Sequence, residues 1–499
     1  MKGITAFIAI LCIAVCLLGW LSFAIDNATA SNELKNNIEQ ADAWVEEGLY
    51  QRAIKLYQEA RTTQSDDLEL GRKIADAYAL RYAEVAEETH DDYVDTLEDL
   101  LGDFPGDEEF TIALANIYFE DENYTQAYTY LKTAVDMGSK SVEIEEMYLR
   151  ARYAFSLGVA NYNDVKEFTG TAYTVARNGK WGILDIENGL IHTCDYIYAG
   201  QTNKDGVYLF TDEKDSRLID GAGMILGIFE EKIVDAGVYA DGLIAASDGE
   251  TYHYYDEFAK KVIGGYEIAG TFCDGRAAVK KDGKWILIDK SGESVSDSFA
   301  HIVLTAAGEY ISNERIIAAS SEGNYKIYNE KFKEVASLAF DEVDVLSEDG
   351  LIAVAKGGKW GFINTDGEVV IEPQYEKAGS FSNGLAAVCK DGKWGFINQD
   401  NEVVIPCQFT EVTRFNVNGS CMVRVDVPET EAETDVMENN EENLQEETTE
   451  QAASQETTET VVDGTIGDAV TIPEEAVPQT ETYQEEWKML KLYNSGVEE

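Results

Sequence analysis

The chain has 499 residues, of which 44% are hydrophobic, so it can build two or three separate cores. Its formal net charge of −55 argues against binding nucleic acid, because no basic surface is expected to release counterions from phosphates. Five cysteines lie outside the apolar N-terminus at irregular spacings: Cys194, Cys273, Cys389, Cys407 and Cys421. They predict small buried thiols and neither a disulfide framework nor a metal site.

Residues 4–25 carry no charge and are numerous enough to cross a hydrocarbon layer of about 30 Å as one helix. Lys2 precedes this run and Asp26 follows it, so the positive-inside tendency places the bulk of the chain outside the cytoplasm. We therefore expect a single-pass membrane anchor or uncleaved signal over residues 1–30. The alternative is a protein secreted after cleavage near Ala30, since Ala28-Thr29-Ala30 has the form that signal peptidase accepts.

Residues 33–158 show apolar residues at helical spacing, with breaks that predict seven helices. The phrase GLYQRAIKLYQEA, residues 48–60, returns as ENYTQAYTYLKTA, residues 122–134. Ala41, Ala75 and Ala115, at intervals of 34 and 40 residues, are expected where paired helices cross closely. The region resembles tetratricopeptide repeats, which implies an array of α-hairpins. Such an array would serve as a peptide-binding groove or as a helical stalk.

From residue 164 the apolar pattern becomes alternating, and a tryptophan or its substitute recurs every 33 to 40 residues. The seven anchor positions are Trp181, Ser216, Tyr252, Trp285, Tyr325, Trp360 and Trp394. Four residues after each anchor comes an acid or its amide: Asp185, Asp220, Asp256, Asp289, Asn329, Asn364 or Asn398. Asp and Asn bond to their own backbone at turns, so we interpret these residues as hairpin-turn residues. A catalytic or calcium-binding role is the disfavoured alternative.

Each repeat is predicted to form four short strands, the third of which contains the anchor. In the sixth repeat the strands are expected near 343–346, 351–355, 359–364 and 368–372. Trp360 is expected to lie in the core, while Gly361 is expected to omit a side chain where an adjacent sheet approaches. Gly182 and Gly395 occupy the same position as Gly361.

These repeats resemble the WG-repeat (KWG) family through GKWG at 179–182, 358–361 and 392–395, and through GKWILID at 283–289. The resemblance covers residues 164–427. It implies surface or exported proteins whose repeats bind partners and share no reaction. The expected fold class is therefore multidomain α plus all-β, with a transmembrane helix, a tetratricopeptide-like array and a β-propeller of seven or eight four-stranded blades. An open β-solenoid is the alternative.

Residues 428–482 are rich in Glu, Thr and Gln, and no Lys or Arg lies between Arg424 and Lys488. This composition predicts an acidic disordered segment. Residues 483–499 contain Trp487 and Leu490 and are expected to be structured. We expect them to dock on the propeller as a strand of an eighth blade, or to form a short amphipathic helix.

The leading functional hypothesis is a membrane-anchored extracytoplasmic binding or scaffold protein that recognises a protein or a cell-wall polymer. The sequence predicts no catalytic residue, no metal site, no cofactor and no nucleic-acid partner. The main alternative is an exported glycan-active propeller enzyme with paired carboxylates. A third possibility is a sensor of external conditions.

Overall fold

The computed structural model describes residues 32–166, 172–185, 189–201, 206–321, 324–428 and 483–494. The chain divides into a helical unit and an all-β unit, with the boundary between Ala154 and Phe155. The predicted membrane segment, residues 4–25, and residues 429–482 lie outside the described residues. Within the described ranges no helix is long and apolar enough to span a membrane. The predicted transmembrane helix is therefore not part of the observed fold class.

The helical unit contains seven helices in the part of the chain that the structure describes. Side chains that precede α3, α5, α6 and α7 satisfy free backbone N–H groups; the Asp107 carboxylate, for example, accepts from Glu109 and Phe110. The alanines expected at close crossings, Ala41, Ala75 and Ala115, are all buried. The helices are 32–46 (α1), Tyr50–Arg61 (α2), Leu68–Glu84 (α3), Ala86–Asp103 (α4), Glu108–Glu120 (α5), Tyr124–Asp136 (α6) and Val142–Arg152 (α7).

The prediction of a tetratricopeptide-like array for residues 33–158 is wrong. Such an array needs helix pairs of equal length at a fixed period, whereas α2 to α7 vary from 11 to 18 residues. The two longest, α3 and α4, are separated by the single residue Val85. The 34-residue interval between Ala41 and Ala75 is not kept at Ala115, because the lengthened α3 and α4 lie between them.

The all-β unit contains eight sheets with antiparallel strands, which form the blades of an eight-bladed propeller. The strands are, for blade 1, β2 Asp164–Val165, β3 Ala172–Arg177, β4 Lys180–Asp185 and β5 Gly189–Tyr196; for blade 2, β6 Tyr198–Ala199, β7 Tyr208–Thr211, β8 Ser216–Ile219 and β9 Ile225–Ile228; for blade 3, β10 Asp235–Ala236, β11 Ile244–Ser247, β12 Tyr252–Tyr255 and β13 Lys261–Tyr266.

Blade 4 departs from the prediction of four strands, because it has only β14 Ile268–Ala269, β15 Arg276–Lys281 and β16 Lys284–Asp289. Two isolated bridges, Trp285 to Phe299 and Ile288 to Ser294, stand in place of its fourth strand. The next strands are, for blade 5, β17 His301–Ile302, β18 Arg315–Ala319, β19 Tyr325–Asn329 and β20 Glu334–Leu338; for blade 6, β21 Glu342–Leu346, β22 Leu351–Lys356, β23 Lys359–Asn364 and β24 Val369–Tyr375; for blade 7, β25 Lys377–Ala378, β26 Ala386–Lys390, β27 Lys393–Ile397 and β28 Val403–Phe409.

Blade 8 is assembled from three separate pieces of chain. Its first two strands are β29 Glu411–Val412 and β30 Ser420–Pro428, and its third is the C-terminal strand β31 Tyr483–Leu492. The fourth strand is β1 Phe155–Leu157, which pairs with β31 from Phe155–Leu492 to Leu157–Leu490. The propeller therefore begins at Phe155 and not at residue 164.

Blades 8 and 1 are in contact, so the sheets form a closed ring and the open β-solenoid is wrong. Tyr173 and Val175 of blade 1 share an apolar cluster with Met422 and Trp487 of blade 8. The Tyr173 hydroxyl donates a hydrogen bond to the backbone carbonyl of Ser420 over 3.1 Å. Of the two predicted blade numbers, eight is correct.

Neighbouring blades pack through a recurring pair of aromatic rings. Phe362 of blade 6 meets Phe381 of blade 7 edge to face with ring centroids 4.8 Å apart. Phe396 and Phe415 repeat this contact between blades 7 and 8 at 4.7 Å. These four phenylalanines are buried, so the inter-blade core is built from the third strand of one blade and the loop that follows the first strand of the next.

Candidate binding surface

The acids and amides that follow the anchors take part in turns. Asn364 Oδ1 accepts the N–H groups of Asp366 (3.1 Å) and Glu368 (2.9 Å). Asp220, Asp256, Asp289 and Asn329 accept the N–H groups two and four residues ahead in the same way. Asn398 accepts from Glu402 over 2.9 Å. The turn after Asp185 lies outside the described residues. These carboxylates and amides therefore shape the chain between the third and fourth strands.

The anchor residues are less buried than expected. Trp181, Tyr252, Tyr325, Trp360 and Trp394 are half-buried, whereas Trp285 is buried. The residue that lies fully in the core is the phenylalanine two positions later, such as Phe362 or Phe396, each with 0% exposure. An eighth anchor, Trp487, opposes Arg424 as Trp394 opposes Cys389. The long insertion before residue 483 hid this anchor from the periodicity.

The glycine after the anchor has a different role from the one predicted. A Cβ on Gly361 would lie 2.6 Å from the backbone nitrogen of Pro373, and one on Gly395 would lie 2.5 Å from the carbonyl oxygen of Ile405. Pro373 and Ile405 lie on the fourth strand of the same blade, so the close approach is within a sheet and not between sheets. Gly182 meets the backbone of His192 in the same manner. In each case the pairing register shifts at this point.

The turns between the second and third strands of blades 1, 4, 6 and 7 are two-residue hairpins. Both turn residues have positive φ, as in a type I′ turn. In blade 7, for example, Asp391 has φ 54° and Gly392 has φ 74°. The turns are Asn178-Gly179, Asp282-Gly283, Gly357-Gly358 and Asp391-Gly392. Equivalent turns of a propeller lie on one face of the ring. We call this surface the hairpin face and define it by these four turns and the residues that flank them.

A carboxylate just before the first strand supports three of these turns. Glu267, Asp341 and Glu376 accept the N–H groups of Gly283 (2.9 Å), Gly357 (2.7 Å) and Gly392 (3.0 Å). In blade 1 the Asn163 side chain accepts from Asn178. Sequence reasoning missed this contact, although an acid or amide 15 or 16 residues before each turn is visible in the sequence.

Two cations oppose each other beside every turn of the hairpin face. The paired residues are Arg177 and Lys180, Lys281 and Lys284, Lys356 and Lys359, and Lys390 and Lys393. Like charges directly opposite each other on a sheet are destabilising. Lys281, Lys284, Lys356, Lys359 and Lys390 are exposed, and none forms an ion pair with another described residue. A chain with 94 acids and 39 Lys and Arg residues therefore carries a recurrent cationic feature on one face.

At the positions of this cation pair blade 8 has Val425 and Glu486, and the acidic pair Asp426–Glu485 follows one residue further along the ladder. Its β30–β31 ladder continues past the turn position through Asp426–Glu485 to Pro428–Tyr483. Lys393 of blade 7 reaches Asp426 of blade 8 over 3.4 Å. Arg424 contacts Glu485 over 3.1 Å. The hairpin face thus changes from cationic at blades 7 and 1 to anionic at blade 8 between them.

Two other clusters of polar groups have structural roles. Asp241 accepts from the Gly275 N–H (2.8 Å) of the next blade, and the hydrogen bond from Lys290 holds the pKa of Asp241 below its usual value. Asp349 occupies the same place before Gly350-Leu351, where burial raises its pKa and the Gly384 N–H lies 3.4 Å away. Their recurrence at one repeat position indicates links between blades.

Lys166 is a buried lysine at the junction of blades 1 and 2. Burial lowers its pKa to about 8. Its ammonium group lies 3.9 Å from the centre of the Tyr198 ring and donates to the Ala199 carbonyl over 2.6 Å. These contacts join blades 1 and 2.

Across the described ranges, no group of three or more His, Cys, Asp and Glu residues could hold a metal ion.

Comparison with known proteins identifies part of the propeller. A family model described as WG containing repeat matches residues 254–285, 327–360, 360–394 and 394–426. No curated protein matches the chain. Solved structures similar to it include BamB from Moraxella catarrhalis, with 10% identity, a TM-score of 0.41, and coverage of 55% of this chain and 97% of that chain.

Two further similar structures are the computationally designed Ika8 protein and Hsv2p from Kluyveromyces lactis. Ika8 has 13% identity and a TM-score of 0.36, over 55% of this chain and 93% of that chain. Hsv2p has 8% identity and a TM-score of 0.33, over 53% and 94%. At these scores the likeness carries no argument about function. Residues 254–426 therefore contain four WG repeats, the first three of which run from the third strand of one blade to the third strand of the next.

Proposed function

We propose that this protein is a non-catalytic binding or scaffold protein whose propeller presents its hairpin face to an anionic macromolecule, either a protein or a cell-wall polymer. The observation that carries the proposal is the repetition of opposed cation pairs in four blades. Each pair weakens its own hairpin through repulsion, and a bound anion would remove that cost. Anion binding therefore accounts for the presence of these cation pairs, whereas the stability of the hairpins does not.

The overall negative charge does not oppose this proposal at short range. Charges are screened over about 8 Å at physiological ionic strength, so a partner in contact with the hairpin face interacts mainly with the charges of that face. The eight paired cations there outnumber the two turn aspartates and the three carboxylates that support the turns. Lysine ammonium groups act as point charges and need no fixed acceptor geometry. This property suits a partner recognised by its charge, and it favours carboxylates or phosphates carried along a polymer.

The environments of the recurrent acids and amides of the propeller do not favour the glycan-active alternative. Asn364 and its equivalents bond to turn N–H groups, Glu376 and its equivalents bond to hairpin N–H groups, and Asp241 and Asp349 link blades. Each such group has a structural partner. The location outside the cytoplasm remains a prediction from residues 1–30, which lie outside the described residues.

A photoreactive amino acid placed on the hairpin face tests the proposed function. Lys359 is exposed beside the blade 6 turn, and Val335, with 43% exposure, lies on the fourth strand of blade 5 as a matched control. Irradiation of living cells should give a crosslinked species from position 359 and none from position 335. Equal crosslinking at both positions, or crosslinking at 335 alone, would contradict a binding role for this face.

A further inference from the structure

We propose that the hairpin face binds an acidic polysaccharide, with an aromatic anchor stacked on a sugar ring and two lysines bound to its carboxylate or phosphate groups. This inference rests on the proposed function and chooses a glycan over a protein as the partner. The incomplete burial of the anchors is an observation that charge alone does not explain. We call each combination an aromatic–lysine site; the three sites are Tyr252 with Lys281 and Lys284, Tyr325 with Lys356 and Lys359, and Trp360 with Lys390 and Lys393.

Trp360 of blade 6 and the cation pair of blade 7 lie on facing surfaces of neighbouring blades. The half-buried Trp360 ring packs against the apolar cluster between these blades, which includes Val388 of β26. Side chains alternate along a strand, so Lys390 points to the same side as Val388 and therefore toward blade 6. Lys393 is the ladder partner of Lys390 and points the same way. The indole ring and the two ammonium groups thus border one gap at the hairpin face.

The same arrangement recurs at two other junctions of blades. Tyr325 packs against the cluster between blades 5 and 6, which contains Val354 of blade 6. Tyr252 packs against the cluster between blades 3 and 4, which contains Val279 of blade 4. The lysine two positions after each valine points to the side of the same cluster, as does its ladder partner. In all three junctions a half-buried ring of one blade therefore faces the cation pair of the next blade.

The fourth cation pair lacks an accessible ring. Arg177 points to the same side as Val175, which shares an apolar cluster with Trp487 of blade 8. Trp487 is 7% exposed, so the ring that faces this pair is covered. Blade 1 therefore offers a partner charge without an aromatic surface.

Trp394 is a half-buried anchor that lacks a cation pair. It points to the same side as Phe396, whose ring meets Phe415 of blade 8. Val425 and Glu486 stand at the positions of the cations in blade 8. Trp394 therefore resembles Trp360 in burial but faces no lysine pair.

The chemistry of the three sites matches a sugar ring that carries an anion. The face of an aromatic ring is negative, and the C–H groups on one side of a sugar ring form a weakly positive apolar surface that can lie on it. A ring that is already held by an apolar cluster loses little conformational freedom when a ligand covers its exposed side. Lysine ammonium groups bind a carboxylate or a phosphate without a fixed geometry. An acidic peptide supplies the charges but no sugar ring beside each charge.

Binding of three polyanions to the purified full chain tests the choice of partner. Polygalacturonate carries carboxylates on sugar rings, phosphomannan carries phosphates on sugar rings, and polyglutamate carries carboxylates without rings. At equal salt, at least one of the two glycans should bind at least about tenfold more tightly than polyglutamate. The glycan that binds more tightly identifies the anion. Polyglutamate binding that is as tight as that of both glycans would overturn the inference.

Substitution of two tryptophans separates recognition from stability. Trp360→Leu removes the flat ring and keeps an apolar side chain in the cluster between blades 6 and 7. It should weaken glycan binding about tenfold and leave the affinity for polyglutamate unchanged. Trp394→Leu is the matched control and should lower the melting temperature to a similar extent without weakening glycan binding. Trp360→Phe, which keeps an aromatic ring, should restore most of the affinity. Equal losses of glycan affinity in the two Leu variants would contradict the assigned site.

A charge variant distinguishes failure of this inference from failure of the proposed function. Substitution of Lys356, Lys359, Lys390 and Lys393 by Gln should remove most of the glycan binding. If the full chain binds polyglutamate as tightly as the glycans and this variant loses both, the binding face is right and the glycan is the wrong partner. If the full chain binds none of the three polymers, the hairpin face is not an anion-binding surface and both proposals fail.

Discussion

The Tyr173 hydroxyl of blade 1 donates a hydrogen bond to the Ser420 carbonyl of blade 8, so the two ends of the ring are joined by residues 247 positions apart. Both residues are fully buried. The Ser420 carbonyl also accepts the backbone N–H of Asn416 over 2.8 Å, so it keeps one donor when the hydroxyl is removed. The loss is therefore that of one hydrogen bond, about 0.5–1.5 kcal/mol.

Tyr173→Phe should therefore lower the free energy of unfolding by about 0.5–1.5 kcal/mol, measured by urea denaturation of the full chain. Tyr196→Phe is the matched control, since the Tyr196 ring stacks on Phe210 and its half-buried side chain keeps that contact without the hydroxyl. The control should change stability by less than about 0.5 kcal/mol. Equal effects at the two positions would show that the hydroxyl does not help to close the ring.

Trp487 and Trp394 occupy the same register in blades 8 and 7 but differ in burial. Trp487 is 7% exposed, whereas Trp394 is half-buried. Trp487→Ala should destabilise the propeller by about 3–5 kcal/mol, and Trp394→Ala by roughly half as much. Thermal unfolding followed by β-sheet circular dichroism measures both. A larger loss at Trp394 would mean that the C-terminal strand contributes little to closure.

Substitution of Gly361 and Gly379 by Ala tests the steric effect of an added Cβ without a change in the preferred backbone conformation. Neither has a positive φ, yet a Cβ on Gly361 would lie 2.6 Å from the Pro373 nitrogen, and one on Gly379 meets only the Ala387 Cβ at 3.8 Å. Gly361→Ala must push the fourth strand of blade 6 away and should lower the melting temperature by several degrees. Gly379→Ala should leave it unchanged or raise it slightly. The opposite order of the two melting temperatures would refute the assigned close approach.

His90 should make the helical unit more stable at acidic pH. Its Nδ1 lies 3.0 Å from Asp91 and its Nε2 lies 2.8 Å from Asp121, the residue that ends α5. The hydrogen bond to Asp91 raises the pKa of His90; burial opposes the shift, and Asp121 adds to it. A raised folded-state pKa contributes stability that is present below the unfolded value of about 6.5 and is lost as pH rises through the folded value.

An NMR titration of the His90 ring checks this pH dependence. The pKa should lie above 6.5 in the parent and should fall in Asp121→Asn, which removes one of the two charges. The difference in urea stability between pH 5.5 and pH 8.5 should shrink in His90→Gln. An unchanged pKa in Asp121→Asn would show that the bond between α4 and the end of α5 is not formed in solution.

The sequence was sufficient to predict the blades because their local features repeat. Asn364 and its equivalents mark turns, and the strands expected in the sixth repeat differ from β21 to β24 by only a few residues. A fixed period, alternation of apolar residues and turn chemistry are all local properties that a sequence displays directly.

Long-range features were harder to predict. The pairing of Phe155 with Leu492 has no signal in the local sequence, because a strand of three residues is too short to show an alternating pattern and is recognised only by its partner strand. Trp487 was hidden by the insertion, and the fourth strand of blade 4 is absent although Ser291-Gly292 resembles the other turns. The cation pairs were visible beside each GKW motif, but a net charge of −55 averages over the whole chain and conceals a local surface.

The three-part construction of blade 8 also determines when the ring can form during synthesis. Phe155 leaves the ribosome long before Leu492, its partner. At about 5–20 residues per second, the fourth strand of blade 8 waits on the order of 20–70 s for the third. Seven blades can assemble in this interval, but the edge of β30 stays unpaired until the last residues emerge. An interrupted chain is therefore a nearly complete propeller with an open sheet edge, which is a substrate for chaperones and for aggregation.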